Sequence, residues 1–268
     1  MLRRVPRSLL MTFFGAFLRR LGGWIAVADL VALMGDLDLD EQAVRSAVSR
    51  LKRRGVIAPE RVDGAAGYRL TPHGEAILEA GDARIFGREN GAAPVWLLVV
   101  FSIPEERRAL RHRLRARLQW LGLGTVAAGV WIAPAHAEAE VRRAIDDLDL
   151  SGHVDLFRGD HLGDAAAVAA WWDLDAIAAE YRAYVGAWEP TLRTGGGRPA
   201  GAGAFAGHVR QLDTWRRIPF HDPGLPVAVL PADWPGAHAW DVFHALDRRL
   251  SRPALRHVEA RRRRAPSR

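Results

Sequence analysis

The stretch DEQAVRSAVSRLKRRG, residues 40–55, decides how the first third of this 268-residue chain is read. Asp38 or Asp40 suits a helix N-cap, because its carboxylate accepts from a free backbone N–H, and Gly55 suits the stop. On a wheel of about 100° per residue with Val44 at zero, Val48 falls at about 40° and Leu51 at about 340°, so these face a core. Gln42, Ser46, Ser49 and Arg53 lie opposite, between about 140° and 200°. Arg45, Arg50 and Lys52 flank that face, and Lys52 is the chain's single lysine. No carboxylate follows Glu41 on the helix. Such a surface suits a DNA major groove. Arginine grips guanine in a bidentate way, glutamine matches adenine, and serines permit close approach. The flanking cations suit phosphates.

The surroundings fit that reading. Upstream, SLLMTFFGAFLRRLGG (residues 8–23) reads as a helix capped by Ser8 and ended by Gly22-Gly23. AVADLVALMGDL (residues 26–37) reads as a second helix, with Val27, Leu30, Val31 and Met34 on one face. Downstream, residues 56–59 and 68–70 read as strands joined by the polar turn Asp63-Gly64. Thr71-Pro72 then starts another helix. Three helices followed by a hairpin is the order of a winged helix-turn-helix module. Arg61 and Arg69 flank the turn beside Tyr68, a composition suited to a wing along the DNA backbone or in the minor groove. A solvated helix and an ordinary hairpin are the plain alternative. Helix, hairpin and basic wing together favour double-stranded DNA.

From residue 95 the texture changes. VWLLVVF (95–101) reads as a buried strand, and Pro104 and Glu105 open a helix with Leu110, Leu114, Leu118 and Leu121 on one face. TVAAGVWIAP (125–134) supplies two strands around Gly129. AEAEVRRAIDDLDL (137–150) is helical, with Val141, Ala144, Ile145 and Leu148 inward, and GHVDLFRG (152–159) closes with a strand. This β-α-β-β-α-β order is ferredoxin-like. The remainder is helical. AVAAWWDLDAIAAEYRAYVGAW (167–188) breaks near Asp173. RTGGGRPAGAGA (193–204) reads as flexible. Phe205, Val209, Leu212 and Trp215 line one later helix, and Ala239, Phe243, Leu246 and Leu250 line the last. The expected fold class is α+β. Its expected domains are a winged helix (1–90), a ferredoxin-like domain (91–160), an α-helical C-terminal effector and dimerisation domain (161–260), and a disordered basic tail (261–268).

Lys and Arg total 38 against 31 Asp and Glu, a formal charge of +7 that suggests an anionic partner. There is no cysteine, so disulfides and thiolate metal sites are excluded, in keeping with a cytoplasmic protein. No apolar run approaches the ~20 residues needed to span a bilayer, so no membrane partner is expected. Arg3-Arg4, an apolar run and Ala26-Val27-Ala28 imitate a signal peptide. Arg19, Arg20 and the Gly22-Gly23-Trp24 turn interrupt that run before the cleavage-like site, so it reads as a mature amphipathic helix.

Enzyme motifs are thin. There is no Gly-x-Ser-x-Gly, P-loop or dinucleotide fingerprint. HVDLFRGDHLGD (153–164) gathers His153, Asp155, Asp160, His161 and Asp164 without a recognised ligand spacing. His221 beside Asp222 invites an acid–base reading, but Asp-Pro-Gly is ordinary turn chemistry. Neither catalytic residues, metal nor resident cofactor is expected.

The chain resembles the PaaX family of bacterial transcriptional repressors. The features that carry the resemblance are SLLMTFFGAFLRRLGGWIAVADLVALM, VRSAVSRLKRRGVI, YRLTPHG, PVWLLVV, LQWLGLGTVAAGVWIAP, WWDLD and DTWRRIPFHDPGLPVAVLPADWPG, in that order over nearly the whole chain. The resemblance implies a winged-helix reader, a central domain similar to the CRISPR adaptation nuclease, and a helical C-terminal domain. It implies a homodimer on a palindromic operator, released by an aryl-CoA or acyl-CoA thioester such as phenylacetyl-CoA. That nuclease-like fold needs a metal-binding aspartate where the first strand ends. Here the strand ends Phe101-Ser102-Ile103-Pro104, with Glu105 and Glu106 nearest, a poor substitute. A metal-dependent nuclease and a non-specific architectural DNA binder remain the rival readings. For a CoA effector, Trp215, Arg216, Arg217 and His221 combine cations with an aromatic beside Trp234, and Trp171-Trp172 is a second aromatic group. Core packing is the competing account of these tryptophans. Arg107, Arg108, Arg111, Arg113, Arg115 and Arg117 make the helix at 105–121 cationic, facing flanking DNA, ligand phosphate or water.

Overall fold

The structure, a computed structural model, describes residues 6–87, 95–193 and 200–262. Its elements run in chain order as α1 (Pro6–Phe13), β1 (Trp24–Ala26), α2 (Val27–Gly35), α3 (Glu41–Arg53), β2 (Ile57–Val62), β3 (Ala65–Leu70), α4 (Pro72–Phe86), β4 (Trp96–Phe101), α5 (Arg108–Trp120), β5 (Gly124–Ala127), β6 (Val130–Pro134), α6 (Glu138–Asp146), β7 (Val154–Gly159), α7 (Ala165–Ala169), α8 (Leu174–Arg193), α9 (Gly201–Trp215), α10 (Ile218–His221) and α11 (Gly236–Arg262). The fold is mixed α+β with two small antiparallel sheets, ordered β1-β3-β2 and β5-β6-β4-β7. Among the described residues, those within Met1–Phe86, Tyr184–Arg216 and His238–Arg268 form one compact unit, and those within Gly87–Ala183 and Arg217–Ala237 form a second.

In the first unit, α1 continues through a π turn (Phe14–Leu18) and a 3-10 turn (Arg19–Leu21) and ends at Gly22 and Gly23, both at positive φ. Ser8 is not its cap. It lies inside the helix, and its hydroxyl donates to Asp213 Oδ1 of α9 at 2.5 Å. Thr12 donates to the same oxygen at 2.9 Å. The reason is the company α1 keeps: Leu9, Phe13 and Phe17 share a core with Val44, Val48, Phe205, Val209, Ala254 and Val258. The helices α9 and α11 therefore cover α1. Of the 161–260 stretch, residues 184–216 and 238–260 pack in this unit and 161–183 and 217–237 in the other.

The hairpin follows from its turn. Asp63 and Gly64 have φ of 49° and 78°, the left-handed pair a two-residue type I′ loop demands. The strands are longer than the sequence runs, and β1, absent from the sequence reading, pairs with β3 through Ile25↔Tyr68. Thr71 Oγ1 accepts from Gly74 N at 3.0 Å and starts α4 as expected. Gly74 is obligatory for space, because a Cβ there would sit 2.2 Å from the Val56 carbonyl oxygen.

Two flexible readings change. In the 193–204 segment, residues 194–199 lie outside the described residues, but Gly201–Ala204 are the first turn of α9, held because Ala204 is buried. Of the tail, 263–268 lies outside the described residues. Arg261 and Arg262 remain helical, since Arg261 pairs with Asp36 at 3.1 Å and Arg262 donates to the Leu21 carbonyl at 2.9 Å.

In the second unit, Leu97, Val99 and Phe101 on one face of β4 pack with Leu114 and Leu118 of α5 and Val141 and Ile145 of α6. Gly129 at φ 78° turns β5 into β6. Trp172 donates from Nε1 to the Gly122 carbonyl at 2.8 Å and packs 6.1 Å from Trp96, so this tryptophan is structural. Asp173 separates α7 from α8, as expected, and caps α8 by accepting from Ala176 N at 3.0 Å.

Candidate nucleic-acid interface

The helix α3 is built from both ends. Asp40 Oδ1 accepts from Ala43 N at 2.7 Å, and Gly55 at φ 67° stops the chain after Arg54. Val44, Ala47, Val48 and Leu51 are buried, which fixes the rotation of the helix. Gln42, Arg45, Ser46, Ser49, Lys52 and Arg53 are exposed, and Arg50 is half-buried. The outer face is partly prearranged. Arg50 Nη1 donates to Ser46 Oγ at 2.8 Å and Arg53 Nη1 to Ser49 Oγ at 3.4 Å. Arg45 donates to Glu41 at 2.7 Å, an exposed pair that water screens strongly. Lys52 has no hydrogen bond or ion pair among the described residues.

The hairpin sorts its three candidates by position. Arg61 is exposed near the tip and donates to the Gly64 carbonyl at 3.2 Å. Arg69 and Tyr68 lie on β3, the central strand, opposite Ala58 and Pro59. Arg69 is tied to the Glu60 carboxylate and donates to the Gly22 carbonyl at 2.8 Å. Tyr68 is half-buried against the core. The cationic tip of the hairpin is therefore Arg61.

The sequence reading missed a groove beside α3, about 630 Å³ in volume, lined by Ala26, Ala28 and Ala32, by Ala65 and Ala66 of the hairpin, and by Glu41 and Arg45. Its one signal was the run of alanines at the start of α2.

The four effector candidates do not share one unit. Trp215 and Arg216 belong to the first, Arg217 and His221 to the second. Trp215 is a core residue. It is 1% exposed, stacks on Phe243 at 4.6 Å, and donates from Nε1 to the Ile85 carbonyl at 2.9 Å. Arg216 is held by Asp213 at 3.2 Å and by Ser8 Oγ at 2.7 Å. His221 lies 3.1 Å from Glu180. Its neighbour Asp222 accepts from the Tyr181 hydroxyl at 2.5 Å and from Gly224 N at 2.8 Å. Burial raises the Asp222 pKa, against the lowering effect of those two donors. This is an anchor for the 217–237 loop.

At the end of β4, Glu105 is engaged by Arg111 at 2.6 Å and Arg108 at 3.8 Å. Among the described residues no three His, Asp or Glu side chains group as a metal centre, and no helix is long and apolar enough to cross a membrane.

Comparison with known proteins covers the chain in three consecutive blocks. Residues 5–74 match the sequence model described as PaaX-like protein, 90–170 that of the PaaX protein central Cas2-like domain, and 172–260 that of the PaaX-like protein C-terminal domain. The transcriptional repressor PaaX of Escherichia coli (strain K12) is 25% identical over 260 residues, covering 94% of this chain and 82% of that one. The solved structure of the uncharacterized protein Rv0674 from Mycobacterium tuberculosis has the same fold, with a TM-score of 0.62, 23% identity, and coverage of 96% of this chain and 98% of that one. With its N-terminal, central and C-terminal segments all matched in order, the chain belongs to the PaaX family.

Proposed function

We propose that this chain is a sequence-specific DNA-binding transcriptional repressor. Residues 6–86 form its winged helix-turn-helix, with α3 as the reading helix and the β2–β3 hairpin as the wing. The single observation that carries the reading is the outer face of α3. Gln42, Ser46, Ser49 and Arg53 stand exposed together, and no carboxylate follows Glu41. Serines keep the helix surface low, so its backbone can approach base edges, while Arg53 and Gln42 supply the donors that distinguish guanine and adenine. Arg45, Arg50, Lys52 and Arg61 supply phosphate contacts that fix register. The alanine-lined groove leaves space beside the helix for a DNA backbone.

The second unit, with its sheet order β5-β6-β4-β7 and two helices on one face, is read as the ferredoxin-like domain of the family. It is read as non-catalytic, since Ser102 stands where that fold's metal-binding aspartate belongs and Glu105 is paired with arginine. In keeping with the family, the chain is read as a cytoplasmic homodimer on a palindromic operator, with half-sites ~34–36 Å apart. An aryl-CoA or acyl-CoA thioester from an aromatic, phenylacetate-type catabolic pathway is the proposed releasing ligand. It would act by favouring a dimer geometry unable to span both half-sites, lowering operator affinity by its differential affinity for the two states.

Two measurements test this. Bound operator should resist random competitor DNA by ~10³ or more, whereas equal competition would identify a non-specific architectural protein. A thermal-shift panel of CoA thioesters against free CoA and free acids, with and without bound DNA, should single out a thioester that releases the DNA. A panel with no thioester response would remove the effector from the account.

A further inference from the structure

The most unusual charge on the molecule lies in the second unit. From Arg107 to Ala137 the chain contains no Asp or Glu, while Arg107, Arg108, Arg111, Arg113, Arg115 and Arg117 crowd its first third. Two of the acids at the borders are occupied by arginines. Glu105 binds Arg111, and Glu138 binds Arg142 at 2.8 Å and Arg158 at 2.6 Å. Burial of Leu114 and Leu118 fixes the rotation of α5. With those leucines inward, Ala109, His112, Ala116 and Gln119 face outward, and His112 is engaged by Arg108 at 3.4 Å. Arg108 and Arg115 lie on one flank, Arg113 and Arg117 on the other. Arg113 and Arg115 are exposed and make no hydrogen bond or ion pair among the described residues. Arg117 lies 4.8 Å over the ring of Trp120, which is itself 45% exposed.

We propose that α5 is a second nucleic-acid contact surface, one that holds the phosphate backbone of duplex DNA without reading its sequence. A helix with side chains is about 10–12 Å across, close to the ~12 Å major groove. Ala109 and Ala116 keep much of the crest low, and arginines on both flanks meet phosphates along both edges of the groove. Arginine binds phosphate in a planar, bidentate way. An acidic protein surface would also attract these cations, but it imposes no reason for two cationic rows separated by a low ridge. Only the choice of duplex as the partner rests on the function proposed above.

The test uses the full chain and a 30-base-pair random-sequence duplex, with affinity measured by fluorescence anisotropy between 50 and 200 mM salt. Three proteins are compared with wild type: Arg113→Gln with Arg115→Gln, Arg113→Lys with Arg115→Lys, and the α3 variant Ser49→Ala with Arg53→Ala. Removing two phosphate-binding cations per chain should flatten the log–log salt slope by about 2 for each bound subunit in the glutamine variant, so per subunit the fourfold rise in salt costs wild type about tenfold more affinity than it costs the variant. The lysine variant should keep the wild-type slope. A glutamine variant with an unchanged slope overturns the proposal, even if the α3 variant shows the reading helix to be correct. A slope that flattens in the glutamine variant but not in the α3 variant upholds the α5 surface and is what a base-reading α3 requires on random DNA. Poly-glutamate that binds as tightly as the duplex, and is lost in the glutamine variant, would assign the surface to an acidic protein instead.

Discussion

The helices α3 and α5 are each 13 residues long, each basic, and each anchored by buried aliphatic side chains, yet they carry charge in different ways. On α3 the crest is polar. Ser46 and Ser49 accept hydrogen bonds from Arg50 and Arg53, so the arginines are pre-positioned over a surface that can itself make hydrogen bonds. On α5 the outward side carries Ala109, His112, Ala116 and Gln119, and Arg113 and Arg115 extend into solvent without a partner among the described residues. Net charge does not distinguish the two. What separates them is how the cations are held, against serines on α3 and, for Arg113 and Arg115, free in solvent on α5. On the proposed reading, α3 specifies and α5 holds.

The comparison can be broken at several depths. The largest effects belong to the anchors. Leu51→Ala under α3 and Leu118→Ala under α5 each remove a buried side chain and should each cost about 2–5 kcal/mol in denaturant melts. A loss well under ~1 kcal/mol at either position would mean that the helix is not held as described. Next comes the reading face. Ser49→Ala with Arg53→Ala should weaken specific operator binding by about 1–3 kcal/mol for each base pair no longer read, while affinity for random duplex changes far less. Equal losses on both DNAs would move α3 into the same class as α5. The salt response is the third lever. If ~6–10 cations meet phosphate across a dimer, affinity should fall by about 10³–10⁵ between 50 and 200 mM salt, and a flat response would contradict both helices together. The smallest effect is the cap. Asp40→Ala should cost about 1 kcal/mol of stability and leave the binding face intact, as a melt paired with an operator titration would show.

The sequence was legible where short-range chemistry decides structure. Asp40, Gly55, the Asp63-Gly64 turn and Thr71-Pro72 each punctuate the chain by local φ preference or capping. Amphipathic spacing then located α3, α5, α6, α9 and α11. Long-range pairing was not legible. The strand β1 is only three residues long and gains its identity from β3, far along the chain. The π turn in the first helix, and Ser8 turning from cap to partner of Asp213, depend on α9 arriving some 200 residues later. The same cause divides the 161–260 segment between two units. In the candidate site, the exposed positions of α3 follow from its wheel. Arg69 could not be placed, because its ion pair with Glu60 is set by cross-strand register. Trp215 looked like half of a pocket because aromatics and arginines adjoin it in sequence, whereas packing sends its ring against Phe243.

The most direct test is selection of duplexes from a random pool on the full-length chain, run in parallel on the Ser49→Ala, Arg53→Ala variant. The account predicts that wild type enriches a motif of two half-sites and that the variant, folded and still able to bind DNA, fails to enrich it. Enrichment of the same motif with the same affinity by both proteins would contradict it.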